Sequence, residues 1–124
     1  PAEWVFSDVE CVRSQADEDF RQGLGEAVKY GVGEEWPFFG WLEENARAIL
    51  RRSLPALRTL VAECSRMKLS VVAEDEHERS GARARLNLGH TVGHALEAAS
   101  GYRWRHGEGV AAGMMVAGRL AHLR

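Results

Sequence analysis

The sequence predicts an all-α domain, on three observations. Only three prolines occur in 124 residues. No β-branched alternation of the kind that marks a half-buried strand runs through it. Apolar residues instead return at steps of three and four, the spacing that lines one face of a helix. The length suits one domain and leaves no room for a second large one.

The first helix is expected from Asp17 to Tyr30. Phe20, Leu24 and Ala27 or Val28 recur at helical spacing, and Asp17, Glu18 and Asp19 stand where a helix N-terminus favours acids. Gly31 and Gly33 read as its stop. A second helix covers Phe38 to Arg52. Ser53 then offers an N-cap and Pro55 a residue tolerated in the next first turn, so a new helix starts there. That third helix carries Leu54, Leu57, Val61, Cys64 and Met67 down one face, which reads as core packing. After Lys68, Val71 and Val72 lead into a charged segment, Glu74 to Arg79, read as a solvated loop ending at Gly81. Two more helices follow, Thr91–Ser100 and Glu108–Leu123, separated by the turn-like GYRWRHG. The last is rich in Gly, Ala and Met and suited to close packing.

Composition excludes several classes. Apolar residues make up 45% and charged residues 27%, as in globular proteins, and no run approaches the ~18 apolar residues of a membrane span. A net charge of −2 lacks the basic excess of a nucleic-acid binder, so neither nucleic acid nor membrane is expected as a partner. The start, PAEWVFSDVE, has no basic and apolar leader pattern, which favours a cytoplasmic protein. Cys11 and Cys64 form no CxxC pair, so a metal must find other ligands.

Three of the five histidines, His90, His94 and His106, fall in one short stretch. His90 and His94 are four apart and share a helix face, and His106 follows after a turn. Spacing leaves two readings open, metal binding and satisfied or exposed imidazoles; the third histidine and nearby Glu108 bring the first level with the second. Glu26 and Lys29, three apart, read from spacing as an exposed ion pair. A carboxylate such as Glu26 is also able to complete a two-histidine site with positions left open for substrate. Lys68, Arg83 and Asn87 offer donors suited to a phosphate or carboxylate, or are plain surface residues.

GLGEAVKYGV, KLSVVAEDE, GARARLNLGHTVGHALE, GY and HGEGVAAGM, in this order, resemble 3-dehydroquinate synthase and the wider sugar-phosphate cyclases. The resemblance runs from about Asp8 to the end. It implies that Glu26, His90 and His106 bind a zinc or cobalt ion, with His94 not a ligand but facing the substrate phosphate beside Asn87. It also implies that Lys68 and Arg83 hold the substrate carboxylate and that Lys29 sits beside the metal and the reacting hydroxyls. Lys29 and His94 are thus the catalytic candidates.

The implied reaction converts 3-deoxy-D-arabino-heptulosonate 7-phosphate to 3-dehydroquinate in the shikimate pathway. NAD transiently oxidises the sugar, phosphate is eliminated, and reduction and aldol closure follow, in a homodimeric parent enzyme. Relatives such as 2-deoxy-scyllo-inosose synthase or a valiolone-forming synthase are the alternative, as is a non-catalytic helical zinc-binding module. Gly25 and Gly109 stand where the family pattern has alanine, and Glu76 to Arg83 is one residue longer than usual. No strand followed by a Gly-rich phosphate loop occurs in the sequence. The expectation is therefore a helical C-terminal domain fragment, residues 1–124, cut at both ends and without its NAD-binding α/β domain. Such a chain is not expected to turn over unaided.

Overall fold

A computed structural model describes residues 4–77 and 79–123; Glu78, within the expected charged loop, and the termini lie outside the described residues. Among the described residues the chain is all-α. It comprises α1 (Glu10–Arg13), α2 (Asp17–Gly33), α3 (Trp36–Leu50), α4 (Leu54–Glu74), a 3-10 helix (Ala82–Asn87), α5 (His90–Ala99) and α6 (His106–His122). No described helix is long and apolar enough to cross a membrane.

The helix boundaries show which local signals dominate. Gly31 does not stop α2, which runs on through it and ends at Gly33. Gly31 serves packing instead: a Cβ there would stand 2.9 Å from the Phe39 Cα, so its absence lets α3 approach. The second helix ends at Leu50, short of Arg52, because Arg52 takes a left-handed φ of 56° and its amide bonds back to the Ile49 carbonyl. The Arg52 guanidinium then donates to the carbonyls of Arg13 and Gln15 and to the Asp17 carboxylate, tying this corner to the start of α2. Ser53 occupies the N-cap of α4 but makes no side-chain capping bond; Pro55 lies in the first turn as expected.

α4 continues past Val71 and Val72 to Glu74, so the charged loop begins one residue later than its first acid. Glu76, His77 and Arg79 are exposed as expected, but Asp75 is buried. Its carboxylate accepts the Arg79 and Ser80 amides at 2.7 and 3.2 Å, which closes the loop on itself.

The core lies between α2, α3 and α4 and gathers Phe20, Tyr30, Phe38, Leu42, Ile49, Leu57 and Leu60. Leu57 is fully buried. On α4 the buried face runs through Leu57, Leu60, Met67 and Val71, while Leu54, Val61 and Cys64 are only half-buried. A second packing region joins α6 to α2 and α5, where Val110 is fully buried and glycines bring the helix backbones close together. A Cβ on Gly93 would meet the Gly109 carbonyl carbon at 2.9 Å, and one on Gly89 would meet the Val110 carbonyl oxygen at 2.5 Å. The small residues of the last helix thus permit backbone-to-backbone approach, as their composition predicted.

Candidate metal centre

Two helices begin at histidines. α5 starts at His90, one residue earlier than expected, after Gly89 in a left-handed conformation with φ 82°. α6 starts at His106, two residues earlier than expected, after an extended Arg105. The Arg105 amide donates to the Glu108 carboxylate at 3.2 Å, one half of a capping box. Glu108 is therefore occupied in capping and is not part of the histidine cluster. The Arg105 guanidinium reaches Asp19 at 3.0 Å and also pairs with Glu18, which anchors the start of α6 beside the start of α2.

This packing brings Glu26 of α2 to both histidines. Glu26 Oε1 lies 3.6 Å from His90 Nε2 and 3.4 Å from His106 Nε2. These separations are longer than ordinary N–H···O bonds. The other ring nitrogens are already engaged: His90 Nδ1 lies 3.3 Å from the Leu88 carbonyl and His106 Nδ1 lies 3.0 Å from Glu97 Oε1. In the tautomer whose Nδ1–H groups donate to these two oxygens, each ring presents Nε2 as an acceptor towards Glu26. Glu26 Oε1 is itself buried and accepts no hydrogen bond. Two imidazole nitrogens thus converge within 3.6 Å of one carboxylate oxygen, an arrangement that a cation is able to share. His₂Glu is a donor set suited to zinc or cobalt with coordination positions open. The residues present fit the metal the sequence implies.

Lys29 is 5% exposed, so the exposed ion pair read from spacing is corrected to a part-buried one whose ammonium is out of solvent. Its Nζ lies 2.5 Å from Glu26 Oε2, the oxygen not aimed at the histidines. Glu26 also acts on the phenol of Tyr30, which is raised first by burial and then by this neighbouring carboxylate.

His94 stands at the rim. It is exposed, with its ring 5.4 Å from that of His90 and 5.7 Å from that of His106. It lies outside the Glu26–His90–His106 set but forms a second, overlapping set with Glu97 and His106. The structure therefore brings together Glu26, Lys29, His90, His94 and His106. The other candidates stand on other elements: Lys68 exposed on α4, Arg83 half-buried in the 3-10 helix, and Asn87 exposed at its end. Glu97 was not singled out by sequence reasoning. Its signal was its place three residues after His94 on the same helix, a spacing given no weight.

Fold and donor set together define a helical domain in which the starts of α5 and α6 bring two histidines to a carboxylate of α2, a group of residues that could hold a metal ion. Residues 23–124 match the family described as 3-dehydroquinate synthase C-terminal, and the chain belongs to that family.

Proposed function

We propose that this domain supplies the metal- and substrate-binding half of a 3-dehydroquinate synthase, acting on 3-deoxy-D-arabino-heptulosonate 7-phosphate with release of phosphate. The observation that carries this reading is the buried, unbonded Glu26 Oε1 facing the Nε2 atoms of His90 and His106. When bound, zinc or cobalt supplies Lewis-acid polarisation of substrate hydroxyls. NAD belongs to the nucleotide-binding domain that precedes these blocks in the family.

The chain's own residues have distinct tasks. Lys29, desolvated and held on Glu26, keeps an ammonium beside the site, where it orients a reacting hydroxyl and opposes charge building on its oxygen. His94, exposed at the rim, offers a ring N–H to a phosphate oxygen. Asn87 is assigned to that phosphate, and Lys68 and Arg83 to the substrate carboxylate.

Zinc or cobalt titration of the chain tests the site. Glu26→Ala, His90→Ala and His106→Ala are each expected to abolish tight binding while the chain remains folded; unchanged affinity in all three overturns the assignment. Assaying the chain joined to its nucleotide-binding domain with the heptulosonate phosphate and with glucose 6-phosphate decides the substrate. Turnover of the latter alone would favour another cyclase.

A further inference from the structure

We propose that Glu97 is a positioning residue for His106, fixing the orientation of a metal-ligating imidazole from the face opposite the cation. The proposal rests on the metal reading of Glu26, His90 and His106.

The two histidines differ in what holds them. His90 is largely buried, its side chain 16% exposed, and its Nδ1 is met by the backbone carbonyl of Leu88 at 3.3 Å. His106 is 47% exposed and opens its helix, so packing does little to fix its ring. On the Nδ1 side it is met by Glu97 Oε1 at 3.0 Å. A ligating histidine commonly gives its second N–H to a carboxylate, which sets tautomer and ring orientation and raises ligand basicity. Here the carboxylate serves the ligand that packing leaves free.

Glu97 is itself held. Its side chain is 15% exposed, and its carbonyl accepts the Ser100 hydroxyl at 2.9 Å and the Tyr102 amide at 2.7 Å, which closes the end of α5. Gly109 leaves room for the carboxylate, since a Cβ there would lie 3.3 Å from Oε1. A competing arrangement uses the same oxygen as a direct ligand, in the set of His94, Glu97 and His106. The two differ in whether His94 matters for binding and in which histidine nitrogen faces the ion.

The test is cobalt(II) titration, read by visible absorption, of the chain and of its Glu97→Gln, Glu97→Ala, His94→Ala and Glu26→Ala variants. The expected result is one cobalt per chain. Glu97→Ala weakens affinity roughly 10–100-fold and shifts the visible bands. Glu97→Gln, whose amide oxygen still accepts from Nδ1, loses less and keeps the metal-free melting temperature, so a general folding defect is separated from a local one. His94→Ala binds as the parent chain does. If Glu26→Ala abolishes binding while both Glu97 variants bind normally, the positioning role is wrong and the metal site stands. If Glu26→Ala binds as tightly as the parent chain, the metal reading itself has failed. Equal losses in His94→Ala and Glu97→Ala make Glu97 a direct ligand and overturn the proposal.

Discussion

Gly25 and Gly107 meet face to face where α2 crosses α6, and a Cβ on Gly25 would stand 2.5 Å from the Gly107 carbonyl oxygen. Each is the immediate neighbour of a candidate ligand, Glu26 on one helix and His106 on the other. The crossing point therefore sets the distance between carboxylate and imidazole. A Cβ on Gly107 would collide with the Gln22 backbone. Gly107→Ala is expected to cost roughly 1–3 kcal/mol and to weaken cobalt binding in the same protein. Gly118, in the same helix, has nothing within 4 Å of the point where a Cβ would stand. Gly118→Ala should stabilise by about 0.5–1 kcal/mol and leave cobalt affinity unchanged. Paired melting and titration curves check both.

Removing the buried ammonium beside Glu26 should separate the metal-free and metal-bound states. Lys29→Met leaves Glu26 Oε2 without its 2.5 Å partner, which is expected to lower metal-free stability by roughly 1–3 kcal/mol. A bound dication then neutralises the abandoned carboxylate. The rise in melting temperature on adding cobalt should accordingly be larger in Lys29→Met than in the parent chain.

Asp75 makes stability depend on pH. Burial pushes its carboxyl upward, but the amides of Arg79, Ser80 and Gly81 and the Ser80 hydroxyl favour the charged form and hold it below the ordinary value. A folded value below the unfolded one contributes stability in full above about 3.9 and loses it as pH falls through the folded value. Asp75→Asn should be less stable than the parent chain at pH 7. Denaturation curves should show the gap closing as pH is lowered below about 4.

The two thiols should react at different rates. Cys11 is exposed, whereas Cys64 is partly buried and pushed up to about 11, first by burial and then by Glu63 and Glu26. A disulfide reagent at pH 8 is expected to modify Cys11 at once and Cys64 only as the chain unfolds.

How much of this was legible depended on whether a residue's role was local. Asp17, Glu18 and Asp19 open α2 and Pro55 sits in the first turn of α4, because first-turn preferences act within a few residues. Gly31 misled because its partner is Phe39, a contact between helices that no local rule reveals. The short α1 and the 3-10 helix carry no buried residue and hence no apolar period to read. In the site, spacing placed His90 and His94 on one face, yet the nitrogens nearest Glu26 come from His90 and His106. That choice depends on the crossing of α2 and α6. Only the resemblance to a known order of motifs pointed to it. Glu97 was missed for the same reason, since its partner His106 is on the next helix.

The glycine contacts along α6 divide the molecule into regions of unequal tolerance. Side-chain cores absorb substitution by repacking, because one rotamer yields to another. Backbone pressed on backbone has nothing to yield. Aliphatic exchanges around Leu57 should therefore be forgiven at the candidate metal centre, while a single methyl added at Gly93, Gly107 or Gly113 acts as a shim that changes its dimensions.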